Sequence, residues 1–137
     1  MAGISTKGSY GLAAMYELAL HYGQGHLQIR DIAEKAHIPP NYLEQILATL
    51  RKEGLIQSIR GAGGGYLLAK APAQIHIYEI LFTLEGELCT PADEGLQPIL
   101  HLYWGRVKED MKSVFHESLQ DLVDQGNALN QQSMYFI

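Results

Sequence analysis

Residues 38–70, IPPNYLEQILATLRKEGLIQSIRGAGGGYLLAK, restrict the fold more than any other part of the chain. Two prolines open a helical pattern and Gly54 closes it; Pro39 or Pro40 fits a first turn, where a missing N–H costs nothing. Leu43, Ile46, Leu47 and Leu50 recur at i, i+3, i+4 and i+7, which puts them on one buried face. Asn41, Gln45, Ala48 and Lys52 then point the other way. Two short apolar runs follow at about 55–59 and 65–69, separated by GAGGG. Helix, strand, glycine turn and strand describe a recognition helix with a β-wing attached. Amide and cationic side chains on the outer face are what reading base edges and phosphates requires. An ordinary amphipathic surface helix would also carry a polar outer face, so the flanking segments have to decide.

Upstream, Ser5 or Thr6 can cap a helix over about 6–22, ended by the run Tyr22-Gly23-Gln24-Gly25. Leu27-Gln28-Ile29 reads as a short extended piece. Arg30–Ala36 reads as a second short helix, and His37-Ile38-Pro39-Pro40 as the turn into the third. Short helix, turn and polar-faced helix make a helix-turn-helix. Downstream, a fourth helix is expected over about 76–85, with Ile77, Ile80, Leu81 and Leu84 on one side, and Gly86 terminates it. Residues 87–97 read as a polar loop. Pro98 begins a helix through about 116 whose apolar stripe is Ile99, Leu102, Tyr103, Val107, Met111, Val114 and Phe115. Ser118-Leu119-Gln120-Asp121 resembles a capping box, which predicts a break and a short last helix to about 125, ended by Gly126. A long helix after so small a domain has little of its own chain to bury against. It either packs back on that domain or pairs with its twin in a dimer, the arrangement that palindromic DNA favours.

The formal net charge of −5 conceals an asymmetry. Residues 1–70 hold seven Lys and Arg against five acids, while residues 71–137 hold three against ten. The cations sit in the half that carries the proposed DNA surface, and affinity for DNA rises with the number of phosphates neutralised. The surplus is small, so doubling it in a dimer helps. No apolar run approaches the roughly 20 residues of a membrane span. The N-terminal segment, with Lys7 as its only early cation and Glu17 inside it, reads as a folded helix and not a signal peptide. A single cysteine, Cys89, excludes an internal disulfide framework and fits a reducing cytoplasm. No nucleophile–base pair or metal-ligand spacing points to an enzyme. The glycine run lacks the Lys-Ser/Thr and the following helix of a phosphate-binding P-loop.

ISTKGSYGLAAMYELA, DIAEKAHIPPNYLEQILATLRKEGLI, SIRGAGGGYLLAK and LEG at 84–86 together closely resemble the Rrf2 family of bacterial winged-helix regulators. The resemblance covers nearly the whole chain. YLEQ, LRKEGL and RGAGGGY at this spacing are highly specific. It implies a mainly α fold with a small β-wing: a winged helix-turn-helix plus a C-terminal dimerisation helix. The corresponding division is residues 1–70 for DNA binding, 71–97 as connecting helix and regulatory loop, and 98–137 as dimerisation helix and tail. The implied function is a homodimeric, sequence-specific DNA-binding regulator, a repressor by family habit, acting on a palindromic operator in double-stranded DNA.

The resemblance also assigns residues. Asn41, Glu44 and Gln45 fall where the family reads bases, with Tyr42 in the same contact set. Asn and Gln suit adenine, and Glu accepts from cytosine N4. Glu44 repels phosphate, so its place here makes sense if it reads a base or rejects wrong ones; a weak surface salt bridge is the plainer alternative. Arg60 is the candidate minor-groove arginine. Gly61, Gly63 and Gly64 let the wing approach the backbone, and Lys7, Arg51 and Lys52 would contact phosphates. Ser9 stands where a cation commonly follows STKG, and His76 replaces a usual Thr, which weakens the cap of the fourth helix.

Cluster-binding members of the family carry three cysteines just after the LEG segment and a further ligand. Here Cys89 stands alone, and an iron–sulfur cluster wants about four ligands; no cofactor is expected. Two Cys89 across a dimer have a metal bridge or a disulfide open to them, and an unliganded loop thiol is the simpler alternative. Cluster-free members that repress cysteine metabolism end in a short aromatic–aliphatic tail finishing in Ile, as Met134-Tyr135-Phe136-Ile137 does here. Their partner is O-acetylserine thiol-lyase, an enzyme that also accepts a C-terminal Ile of serine acetyltransferase. Tyr135, Phe136 and Ile137 would dock there by their terminal carboxylate, or else fold back on the dimer helices. A protein-interaction adaptor that binds the enzyme is therefore the second reading of the chain.

Overall fold

The structure is a computed structural model that describes residues 3–86, 95 and 97–135. The polypeptide first forms three helices, α1 (Thr6–Leu20), α2 (Ile29–Ala36) and α3 (Pro40–Lys52). Strands β1 (Ile56–Ile59) and β2 (Gly65–Leu68) follow, then a 3-10 turn (Pro72–Gln74) and α4 (Ile77–Glu85). Two longer helices complete it, α5 (Pro98–Val114) and α6 (Leu119–Tyr135). The strands pair antiparallel, with Ile56 opposite Leu68 and Ile59 opposite Gly65. This is the expected mainly helical winged helix-turn-helix.

The helical periodicity of the recognition segment is what folds it. Leu43, Ile46, Leu47 and Leu50 are all buried, on a helix with Pro40 at its start and Arg51 and Lys52 in its last turn. Cations at that end offset the negative pole of the helix. The four apolar residues pack with Met15 and Leu18 of α1, Ile32 of α2, Ile56 and Leu68 of the wing base, and Ile80, Leu81 and Leu84 of α4 in one core. Ile75 and Leu119, fully buried, belong to the same core. α2 ends at His37, which takes a left-handed conformation (φ 56°) and so turns the chain sharply into α3.

The wing has a third, short partner. Leu27 N–H donates to the Tyr66 carbonyl at 2.9 Å and Tyr66 N–H donates back at 2.8 Å. The close approach needs a glycine next door, since a Cβ at Gly65 would overlap the Leu27 carbonyl. The extended piece expected at 27–29 is thus confined to Leu27, because α2 already begins at Ile29.

The last helix corrects the sequence expectation. α6 does not end at Gly126 but runs on to Tyr135. Glycine inside a helix costs about 1 kcal/mol relative to alanine, yet here it clears space. A Cβ at Gly126 would meet the Tyr16 hydroxyl of α1, against which α6 packs. The break before α6 is as expected. Ser118 N–H donates to Asp121 Oδ2 (2.9 Å), and Asp121 N–H donates to Ser118 Oγ (3.1 Å), a reciprocal capping box.

The backbone hydrogen bond from Ser118, opposed by some desolvation and helped by the Ser118 hydroxyl and the nearby His116 and His76, holds the Asp121 carboxyl below its ordinary pKa. A depressed carboxylate contributes stability that is present above its unfolded value and lost as the pH falls through the folded one. Wild type should therefore melt above Asp121→Asn at neutral pH, and the two melting curves should converge as the pH is taken below the ordinary carboxylate range.

α5 is tied to the domain where it ends, by Phe115 packed against the core and accepting from Tyr78 N–H at 3.1 Å, but no residue of α5 itself is buried in the protomer. Ile99 and Leu102 are each 69% exposed. Among the described residues no helix is long and apolar enough to cross a membrane.

Candidate nucleic-acid interface

The buried stripe of α3 fixes the direction of its opposite face. Asn41, Tyr42, Glu44, Gln45, Ala48, Arg51 and Lys52 are exposed there. Tyr42 is the least free of them, for its ring meets the Tyr10 ring of α1 edge to face at 5.5 Å. Glu44 makes no ion pair among the described residues, so the salt-bridge explanation finds no support there. Asn41, Gln45 and Lys52 likewise make no side-chain hydrogen bond or ion pair among the described residues. A row of polar side chains with no partner among the described residues has its hydrogen-bonding capacity available to a ligand.

The wing stands beside the C-terminal end of α3. Arg51 reaches across to Ser58 Oγ of β1 at 3.5 Å. Ile29, Arg51, Ser58, Arg60, Gly61 and Tyr66 are among the residues that line a cleft of about 300 Å³ between helix and wing. Arg60 is exposed where β1 ends, and Gly61 (φ 104°) and Gly63 (φ 77°) turn the chain back, closed by a Gly64 N–H to Gly61 carbonyl bond of 3.0 Å. Two arginines at the mouth of one cleft make a local positive field that suits an anionic backbone.

Lys7 lies in the first turn of α1, half-buried. The cap of that helix is not the one expected. Ser5 occupies the cap position without capping through its own side chain. Glu85, at the end of α4, accepts from Ser5 N–H (2.9 Å), the Ser5 hydroxyl (2.6 Å) and Gly8 N–H (3.0 Å). A carboxylate supplied from 80 residues away satisfies the free N–H groups and the positive pole of α1. No local sequence signal reveals it. The same holds for His26, whose ring nitrogen lies 2.6 Å from the Gly63 carbonyl. At the start of α4, the His76 ring turns away to the His116 carbonyl (2.8 Å), and Glu79 caps His76 N–H instead (2.8 Å). Cys89, Phe136 and Ile137 lie outside the described residues, and Tyr135 is the last residue of α6.

A helix-turn-helix with an adjoining wing is common to many regulators, and the family is decided by the chain itself. A family model described as Rrf2, iron-dependent transcriptional regulator, matches residues 4–125. The chain belongs to the Rrf2 family. Among curated Rrf2-like relatives, the HTH-type transcriptional regulator CymR of Bacillus subtilis is 37% identical over 137 residues, spanning 98% of this chain and 99% of that one. The HTH-type transcriptional regulator IscR of Photorhabdus laumondii is 32% identical over 135 residues, 93% and 82% of the two. Of solved structures, CymR, described as the global cysteine regulator of B. subtilis, superposes with a TM-score of 0.75 at 38% identity, covering 91% of this chain and 98% of that one. IscR of T. potens follows with a TM-score of 0.73 at 38% identity, covering 90% and 88%.

This Rrf2 chain is accordingly a DNA-binding transcriptional regulator and not an enzyme. The iron in the family's description does not fit its donor set as an intramolecular iron–sulfur cluster. One cysteine in the whole chain supplies one thiolate where a cluster wants about four ligands.

Proposed function

We propose that the protein is a homodimeric repressor of the cytoplasm that binds a palindromic operator without an iron–sulfur cluster and controls genes of cysteine or sulfur metabolism. The observation that carries this is the exposed face of α3 beside the arginine-bearing wing, on which Asn41, Glu44, Gln45 and Lys52 make no side-chain hydrogen bond or ion pair among the described residues. Asn41, Glu44 and Gln45 would read base edges, Arg60 would enter the minor groove, and Lys7, Arg51 and Lys52 would hold phosphates. The unburied apolar face of α5 supports the dimer. The sulfur assignment leans on the likeness to the cysteine regulator of B. subtilis, at 37% identity over 98% of the chain. The division into residues 1–70 for DNA, 71–97 as connection and 98–137 for dimerisation is then one of roles, since a single core runs through all three.

Gel shifts on duplexes selected from random-sequence DNA test the assignment. Glu44→Ala should change which sequences are preferred, by about 1–3 kcal/mol of discrimination at one position. Lys52→Ala should weaken all sequences alike and shallow the salt dependence by about one ion. A protein that binds no fragment even at low salt would refute the reading.

A further inference from the structure

The loop between α1 and α2 reaches the tip of the wing. His26 Nε2 lies 2.6 Å from the Gly63 carbonyl oxygen. A carbonyl only accepts, so the imidazole donates. The next residue, Leu27, exchanges two backbone hydrogen bonds with Tyr66. The wing is therefore fastened from outside itself at two heights, at β2 by Leu27 and at the tip by His26.

The tip needs such a fastening. β1 and β2 pair over four residues each, and beyond Ile59 and Gly65 only the Gly64–Gly61 bond closes the turn from within. Three of the five residues 60–64 are glycine, two of them at positive φ. Glycine loses more conformational entropy on ordering than any other residue. An untethered tip would have to be ordered when DNA binds, and that ordering subtracts from affinity. We propose that His26 is a positioning residue for DNA binding, holding the Gly63 carbonyl so that Arg60 is presented to the minor groove before DNA arrives. The proposal rests on the wing reading given above, and His26 itself need not touch DNA.

The experiment uses the full-length protein and a duplex selected from random-sequence DNA by the wild type. His26→Ala should lower affinity by about three- to tenfold, the worth of one net hydrogen bond. It should also speed amide exchange at Ala62–Gly64 in the free protein while leaving exchange in the buried helices unchanged. His26→Gln, whose amide N–H donates in the same sense, should restore much of both. In an Arg60→Ala background, His26→Ala should cost little more, because the tether acts through that arginine. Wild-type affinity in His26→Ala, or losses from the two substitutions that simply multiply, would overturn the proposal. Arg60→Ala binding like wild type would overturn the wing reading beneath it. Faster tip exchange in His26→Ala would then separate that failure from failure of the tether, which unchanged exchange would show.

Discussion

Leu102→Glu should convert the protein into a folded monomer with operator affinity lower by about a hundredfold or more, the advantage of two linked half-sites. Leu102 is 69% exposed in the protomer, and Ile99, one turn before it on the same face, is equally so. Leu102 is not part of the buried core of the described residues, so circular dichroism and the recognition face should be unaltered. In the proposed dimer, a carboxylate at this position of α5 would be desolvated without a partner, at a cost far above the gain of any single leucine. Sedimentation should give the monomer mass. The slope of log K against log salt should fall to about half, since half the phosphates are contacted. A Leu102→Glu protein that still sediments as a dimer would remove α5 from the interface and return it to some other role.

Leu47→Ala should produce the largest loss of stability, about 2–5 kcal/mol, as for other fully buried leucines. Leu47 is fully buried at the middle of α3, a helix that packs against α1, α2, α4 and β1. The cavity left would lie inside the single core of the domain, so it has little scope to collapse. For a chain of this length that corresponds to a fall of about 10–20 °C in melting temperature. Such a loss takes a large share of the stability of an ordinary domain, about 5–15 kcal/mol. DNA binding should fail at 37 °C and recover on cooling, which separates this variant from Lys52→Ala, whose deficit is independent of temperature near the midpoint. Ala48→Ser, on the exposed side of the same turn, should leave the melting temperature nearly unchanged. An equal fall there would mean that the two faces of α3 had been assigned the wrong way round.

Much of this was legible in residues 38–70. Periodicity named the buried and exposed faces of α3 because a helix with 3.6 residues per turn leaves no freedom in which residues share a side. The prolines marked its start, and the glycine run marked the wing turn, since few other residues reach positive φ there. The same local logic found α4, the start of α5 and the capping box at Ser118. It also failed in an instructive place. Gly126 resembles a helix terminator by composition, but α6 passes through it because Tyr16 of α1 needs the room. A local rule has no access to that neighbour.

The helix-turn-helix, the wing, the family and the side of α3 that faces outward follow from the order of residues alone, because each depends on residues close together in the chain or on a long specific match. Tertiary structure alone decided that Glu85 caps α1, that His26 holds Gly63 and that Leu27 joins the wing. These contacts join residues 37 to 80 positions apart. Each is made by a common residue type with no local pattern to mark it. Hydrogen bonds of this kind exist only once the core has brought the partners within about 3 Å of one another, and the core is a property of the folded chain.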